Sequence, residues 1–315
     1  MIKINSFILS NLKIEGFEEI EILDGVFIRK AKKYEIIKLK EKLNEYPIPG
    51  LSKESRKYYF EHERVRTDDS TIETILSKEE DYKYWIVEID NKCDLVLFYY
   101  SLKLLKNSFE LGFRYIFDDE KPEKLSFLGN DYVFFKYMKL ESIFSDNFTI
   151  NIKMDEIKTL KEIYEKLVIN YNKYDFIEHA FRNFDMLKYV DETSDLVILG
   201  YFSIIEMLIT HPPRLNESLD SISHQIVNKI NLLEKMFHRN INYHDYFKDT
   251  KKETIWKKLY AYRSDIAHGN VMDFDRKFEL LISKENINKF LIENIKNILL
   301  FSIYNTDFIN DLKKC

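Results

Sequence analysis

The residues Leu196–Ile209, LVILGYFSIIEMLI, are apolar on nearly all sides of the helix that they predict. A helix without a polar face is normally central and buried, because no side of it is stable against water. The prolines at positions 212 and 213 end it. The chain must therefore surround this helix with others, and the residues after about Asn151 have the pattern to do so.

Helical periodicity runs through the residues after about Asn151. Apolar residues recur there at spacings of three and four, as they do on one face of an α-helix. We expect helices from Asp155, over Tyr174–Tyr189, from Ser218 or Ser221, from about Thr254 to Gly269, and over Lys284–Asp311. The sequence contains no internal repeat, so residues 151–315 are predicted to form one helical bundle.

The residues before about Phe148 have a mixed pattern. Short runs rich in aromatic and β-branched residues are typical of strands. We predict strands at Gly25–Arg29, Tyr84–Asp90, Cys93–Tyr100, Phe109–Phe117 and Tyr132–Met138, and a helix at Tyr34–Leu43. The polar stretch Pro49–Asp81 shows no clean period and is interpreted as a solvated loop or frayed helix, with a nucleic-acid contact through its basic residues as the alternative. Residues 1–150 are therefore predicted to form an α+β domain with an antiparallel sheet.

Composition limits the class of protein. With 315 residues, 45% apolar and 32% charged, the chain is long enough for two domains with cores of their own. The net charge of −5 argues against a protein that coats nucleic acid non-specifically, although a local basic patch stays open. Cys93 and Cys315 form no CxxC pair, so we expect reduced thiols, no metal site and no cofactor.

Targeting and membrane segments are not evident in the sequence. The first residues, MIKIN, lack the basic start and apolar stretch of a secretory signal. No apolar run approaches the roughly 18 residues that suggest a membrane span. We therefore expect a cytoplasmic protein that does not associate with membranes.

The segment Tyr262–Asn270, YRSDIAHGN, places an arginine and a histidine near the end of a predicted helix. At 100° per residue the apolar stripe that includes Tyr262 faces the core, while Ser264 and His268 lie on the opposite side. Arg263 lies about 140° around the axis from His268. One helix therefore does not direct both side chains at a single atom, whereas a second copy of the helix can supply the missing partner.

These residue types suit metal-free cleavage of RNA. In the last turn His268 feels the negative end of the helix dipole, and Asp265 can orient its ring. Arg263 carries a planar set of donors that match a phosphate. The ribose 2′-OH supplies the nucleophile, so the protein needs no serine or cysteine of its own. The alternative is a surface arginine and a helix-capping histidine, both of which are common.

The phrase Lys258–Gly269, KLYAYRSDIAHG, resembles the Apea-like branch of the HEPN superfamily, whose signature is an arginine, four to six residues, then a histidine. The run Phe202–Leu208 resembles the family's buried first helix, with Glu206 as its acidic residue. The resemblance covers roughly Asp155–Cys315. It implies that Arg263 and His268 are catalytic, that Ser264 fills the polar position after the arginine, and that Asp265 supports the site.

The resemblance also implies a helical bundle that dimerises so that two Arg–His motifs form one cleft. Many members are metal-independent endoribonucleases that act as toxins of toxin–antitoxin pairs or in antiphage defence. We therefore expect a homodimeric endoribonuclease whose residues 1–150 sense a trigger of phage origin or select RNA. The alternative is a non-catalytic HEPN module that binds nucleic acid or a nucleotide as a scaffold or regulator, and a third interpretation is an antitoxin-like partner.

Several residues near these motifs have more than one interpretation. Glu206, on an apolar helix, needs a partner. It either pairs structurally with a basic residue, of which Arg263 is one candidate, or orients the site. Surface or turn positions are expected for the remaining histidines, because no pair shows the spacing of a metal site; these are His62, His179, His211, His224, His238 and His244.

Overall fold

A computed structural model describes residues 3–8, 11–14, 17–45, 59–67, 71–90, 92–109, 111–118, 121–128, 149–214 and 220–315. The chain divides into two compact units, Met1–Glu162 and Ile163–Cys315. The boundary lies inside a helix, α3, which spans Met154–Asn170. An N-terminal region with an antiparallel sheet is thus followed by a helical region, which confirms the predicted α+β and all-α classes at that level.

The described part of the N-terminal unit is built on a six-stranded antiparallel sheet, ordered β3-β4-β7-β1-β8-β9. Its strands are β1 (Lys3–Ile8), β3 (Glu19–Leu23), β4 (Val26–Lys30), β7 (Trp85–Ile89), β8 (Leu111–Asp118) and β9 (Lys121–Leu128). Shorter pairings join β2 (Asn11–Ile14) to β10 (Thr149–Ile152) in parallel, and β5 (His62–Arg66) to β6 (Ile72–Leu76) in a hairpin. Three predicted strands, at β4, β7 and β8, are confirmed.

Two predictions for this unit are wrong and one lies outside the described residues. The run Cys93–Tyr100 is not a strand but the start of helix α2 (Leu95–Leu104), because Asp94 caps it by accepting from the N–H groups of Val96 and Leu97 at 2.9 and 3.1 Å. Within Pro49–Asp81, the β5–β6 hairpin replaces the expected loop or frayed helix. Tyr132–Met138 falls outside the described residues.

Helix α1 (Lys33–Asn44) confirms the prediction at Tyr34–Leu43 and provides apolar residues to the core of this unit. Its Leu39 and Leu43 pack in one cluster with side chains from the sheet and from the turn at Tyr59–Glu61. That cluster consists of Phe7, Leu39, Leu43, Phe60, Tyr84, Ile86, Phe113 and Tyr115. Burial of these large side chains stabilises the unit through the hydrophobic effect.

The helices of the C-terminal unit follow the predicted pattern closely. After α3 come α4 (Asp175–Met186), α5 (Leu196–Ile209), α6 (Ile222–Leu233), α7 (Tyr243–Phe247), α8 (Lys252–Ala267), α9 (Lys284–Tyr304) and α10 (Thr306–Lys314). Ser221 caps α6 by accepting from the N–H of His224, whereas Ser218 lies outside the described residues. The predicted helix over Lys284–Asp311 is interrupted at Asn305 (φ −133°, ψ 51°).

Helix α5 is the centre of this unit, as its sequence predicts. It packs against α4, α6, α8, α9 and α10. Most of its side chains are buried, including Phe202, Ile205 and Leu208 with no exposed surface. Glu206 is therefore a half-buried carboxylate on a mostly buried helix, which favours a cation beside it.

None of the helices among the described residues combines the length and the apolar character that a membrane crossing requires.

Gly25 occupies a turn that no other residue tolerates well. It follows Asp24 in the two-residue connection between β3 and β4, with φ +76°. A Cβ placed there would lie 2.2 Å from Oδ2 of Asp90, whose backbone N–H donates to the Gly25 carbonyl at 2.9 Å. Both the backbone and the available space therefore select glycine.

We expect Gly25→Ala to lower the free energy of unfolding of the N-terminal unit by more than the left-handed backbone alone costs, about 1–2 kcal/mol. Gly269→Ala is the matched control, because Gly269 has φ +71° but a Cβ there would meet nothing within 4 Å. Urea unfolding followed by Trp85 fluorescence for the first variant and Trp256 fluorescence for the second gives both values. Equal losses of unfolding free energy in the two variants would show that the Asp90 side chain does not hinder a Cβ at position 25.

Candidate functional site

Helix α8 carries the Arg–His segment and is anchored by its apolar face. The sequence places Ile255, Leu259, Tyr262 and Ile266 on that face. The first three are buried together with Trp256, whereas Ile266 is half-buried. His268, at the end of the helix, is exposed, as the helical geometry predicts. The helix is therefore fixed on one side, while its C-terminal end lies in solvent.

The end of α8 is a Schellman motif that places His268 at its last position. His268 has φ −94° and ψ 0°, and Gly269 follows in the left-handed region. The N–H of Gly269 donates to the carbonyl of Ile266 at 3.1 Å, and that of Asn270 to the carbonyl of Asp265 at 2.9 Å. The backbone of His268 is thus held, while its side chain is exposed at the end of the helix.

Asp265 provides a negative charge beside His268. Its carboxylate accepts from Lys277 Nζ and, at 3.3 Å, from Asn270 Nδ2. The Lys277 hydrogen bond lowers the pKa of Asp265 most, and the charge of His268 acts in the same direction. Asp265 is therefore ionised at neutral pH. Ser264 is half-buried, and its carbonyl accepts the N–H of His268 at 3.1 Å.

Arg263 faces Glu206 across the packing of α8 on α5. Nη2 of Arg263 lies 3.5 Å from Oε1 of Glu206, with 30% and 23% of the two side chains exposed. Among the described residues, neither Nε of Arg263 nor Oε1 of Glu206, both buried, has a hydrogen-bond partner. The two groups form a charge pair without the bidentate hydrogen bonds that an arginine and a carboxylate usually make.

The aromatic ring of Tyr260 completes the surroundings of the guanidinium. Cζ of Arg263 lies 5.8 Å from the centroid of this ring, within reach of a cation–π interaction. The ring of Phe202 packs edge-on against it, with 6.1 Å between the two ring centroids. Burial and the Glu206 charge raise the pKa of the Tyr260 hydroxyl, which therefore stays protonated at neutral pH. Sequence reasoning missed Tyr260, although its place three residues before Arg263 puts both on one flank.

The electrostatics of Glu206 follow from its position on α5. Burial raises the pKa of its carboxyl above the ordinary value, and the positive charge of Arg263 offsets part of that rise. The flank position of Arg263 on its helix predicts little contact with the core. The structure instead places Arg263 opposite the carboxylate of Glu206 on the central helix.

The structure places the five predicted site residues in two groups on one chain. Arg263 and Glu206 form the first group, and Ser264, Asp265 and His268 form the second at the helix end. Within the described residues, the recorded hydrogen bonds and ion pairs do not join Arg263 to His268. No group of three or more potential metal ligands occurs in the parts of the chain that the structure describes.

No protein-family model, no curated protein and no solved structure matches this chain. The interpretation of the site therefore depends on the quoted sequence segments and on the geometry of α5 and α8.

The charge pair predicts how Glu206 titrates. We expect its midpoint, followed by NMR of the side-chain carboxyl, to lie above that of an ordinary glutamate because burial disfavours the charged form. Arg263→Ala should raise it further, since the attracting charge is removed. Glu285 is the internal control, because Lys289 lowers its pKa on an exposed surface and the substitution leaves that pair intact. An unchanged or lower Glu206 midpoint in the variant would contradict the pairing.

Proposed function

We propose that this chain is a metal-independent endoribonuclease of the HEPN type that cleaves RNA through attack of the ribose 2′-OH. The observation that carries the proposal is a half-buried arginine whose Nε has no hydrogen-bond partner among the described residues, on the same helix as a histidine held at its exposed end. An arginine whose N–H groups are not all hydrogen-bonded can bind an anion. A histidine at a helix end can move a proton.

Arg263 is the phosphate-binding group of the proposed mechanism. Its guanidinium lies where burial strengthens electrostatic interactions, and Glu206 and Tyr260 limit its rotation. A phosphoryl group offers the bidentate hydrogen bonds that Glu206 does not make. The charge that builds on the phosphoryl oxygens in the transition state is then stabilised by a donor already in position.

His268 is the proton carrier of the proposed mechanism. Its side chain is exposed at the C-terminus of α8, and the ionised Asp265 lies three residues before it on the same helix. An imidazole can remove the proton of the 2′-OH or protonate the leaving oxygen. Because the substrate supplies the nucleophile, a metal-free site suffices.

A second copy of the chain is part of the proposal. Arg263 and His268 diverge by about 140° around the axis of α8, so a single chain does not place both on one phosphate. A homodimer in which two α8 ends meet would combine the arginine and histidine of both protomers. The resemblance of KLYAYRSDIAHG to the HEPN motif supports this arrangement.

We further propose that the N-terminal unit selects the RNA or senses a trigger, and that the protein acts in the cytoplasm in antiphage defence or as the toxin of a toxin–antitoxin pair. The support is the separate core of this unit, built on its own sheet, which gives it the character of an independent module.

The first prediction concerns His268. We expect the purified protein to cleave a mixed RNA pool in the presence of EDTA, and His268→Ala to abolish cleavage, because the proton carrier is lost. Products should end in a 2′,3′-cyclic phosphate or its hydrolysed form, as mass spectrometry of the fragments can show. His238→Ala is the matched control, since His238 is exposed in the same unit but lies beside Tyr304 rather than on α8.

Two results would contradict the proposed chemistry. One is equal cleavage by the wild type and His268→Ala, which would indicate a contaminating nuclease and leave the non-catalytic HEPN module as the better interpretation. The other is efficient cutting at a position carrying a single 2′-deoxyribose, since that substrate has no internal nucleophile.

The second prediction concerns Arg263. We expect Arg263→Lys to reduce the cleavage rate on the order of 100-fold, because a point charge does not replace the planar set of donors. The double variant Arg263→Ala, Glu206→Gln tests the same loss without leaving a buried carboxylate unpaired. Glu206→Gln alone is the matched control and should retain measurable cleavage. If the double variant cleaved as fast as Glu206→Gln, Arg263 would have no part in the reaction.

A further inference from the structure

A second group of ionisable side chains lies between the end of α5 and the middle of α6. Nζ of Lys229 lies 3.5 Å from Nδ1 of His211 and is hydrogen-bonded to it. On the other side of the ring, Nε2 of His211 lies 3.2 Å from Oδ1 of Asp220, although not in hydrogen-bonding alignment. The three side chains form a lysine–histidine–aspartate row that has no part in the proposed endoribonuclease site.

The histidine of this row is held in a defined orientation. Gln225 on α6 accepts the backbone N–H of His211 at 3.0 Å and donates to its carbonyl at 3.1 Å. The same amide donates to Oδ1 of Asp220 at 3.1 Å, and the N–H of Arg214 donates to Oδ2 at 2.6 Å. The backbone hydrogen bond from Arg214, followed by the charge of His211, lowers the pKa of Asp220.

The two neighbours of the ring favour one arrangement of its proton. Nε2 of His211 faces the ionised Asp220 at 3.2 Å, which favours the proton on that nitrogen and the lone pair on Nδ1, the atom that faces Lys229. A histidine arranged in this way accepts a proton from the lysine side and stabilises the resulting positive charge against Asp220.

Lys229 is placed as a reactive amine rather than as a structural cation. Its residue surface is 7% exposed, and in the described parts of the chain no carboxylate lies within ion-pair distance of it. Burial lowers the pKa of Lys229. Among the neighbouring charges, those of Cys315 and Asp220 oppose this shift, and those of Lys313 and Arg214 reinforce it. The fraction of neutral amine at pH 7 is therefore larger than for a lysine in water.

We propose that Lys229 is a nucleophilic amine that binds a small aldehyde or ketone covalently as an imine, with His211 as the proton carrier and Asp220 as the residue that orients it. An amine of this kind is the group that enzymes and carriers use to capture carbonyl compounds. Arg263 and His268 have no part in this site. An experiment that refutes imine formation at Lys229 therefore leaves the proposed endoribonuclease activity untouched.

The proposed step is balanced without a further reactant. The lone pair of Lys229 Nζ forms a bond to the carbonyl carbon, and the π electrons move to the carbonyl oxygen. His211 takes a proton from the nitrogen and returns one to the oxygen. Loss of water then forms the C=N bond, so that amine and carbonyl give imine and one water, with no oxidation or reduction.

Access limits the size of the ligand. The side chains of His211 and Asp220 are 13% and 12% exposed, and Lys229 is 7% exposed. Burial of all three side chains excludes a polymer as the ligand. The ligand class is therefore a small carbonyl compound.

Reductive methylation with isotope-labelled formaldehyde tests the proposal, with cyanoborohydride to supply the hydride that fixes the imine. The protein is treated at pH 7, and the modification of each lysine is followed by peptide mass spectrometry. We expect Lys229 to react faster than Lys235, an exposed lysine just beyond the end of α6, since the lowered pKa of Lys229 increases its neutral fraction. A rate for Lys229 no higher than that for Lys235 would overturn the proposal.

Two variants separate the role of the histidine from a merely structural one. His211→Gln keeps the backbone hydrogen bonds to Gln225 but removes the proton carrier, so we expect slower reaction at Lys229 and an unchanged rate at Lys235. Lys229→Arg keeps the positive charge and should eliminate only the adduct at that position. Circular dichroism confirms folding of each variant. An unchanged Lys229 rate in His211→Gln would show that the histidine does not carry the proton and would refute the proposed relay.

Discussion

The C-terminal unit depends on one constraint, which is that α5 is apolar on nearly all sides and must bury most of its side chains. Five helices enclose it, and their arrangement follows from the need to bury its side chains. Glu206 is the one charged residue in this helix. A carboxylate in that position requires a cation, and α8 supplies Arg263 at 3.5 Å. The candidate site is therefore positioned by the packing of the core.

Two of the arginine–glutamate pairs among the described residues differ in how completely their polar atoms are hydrogen-bonded. In the N-terminal unit, Arg29 donates to both oxygens of Glu35 at 2.7 and 2.9 Å, with 6% and 0% of the side chains exposed. Tyr115 and the backbone N–H of Lys32 also donate to Glu35, at 2.6 and 2.7 Å. The polar groups of that pair are satisfied within the N-terminal unit. In the pair of Glu206 and Arg263, Oε1 and Nε have no hydrogen-bond partner among the described residues, and this difference is what supports the proposed role of Arg263.

The predictions that are wrong have local physical causes. The run Cys93–Tyr100 has the composition of a strand, yet Asp94 provides a helix cap, and a short apolar run does not distinguish the two states. The β5–β6 hairpin has large apolar residues that are exposed, Val65, Ile75 and Leu76, so its sequence lacks the alternation that marks a half-buried strand. The last helix is interrupted at Asn305, whose backbone leaves the helical region at φ −133° and ψ 51° while its N–H still donates to the Phe301 carbonyl at 2.9 Å.

By itself the sequence determined most of the helices, the central place of α5 and the end of α8 at Gly269. These features depend on periodicity and capping within a few residues, so neighbours in the chain are enough to predict them. The sequence also predicted Arg263 as one possible partner for Glu206, but only the tertiary structure decided that pairing, the ring of Tyr260 beside it, and the row of Lys229, His211 and Asp220. Those contacts join residues on different helices, and their distances depend on how the helices pack, which no local pattern specifies.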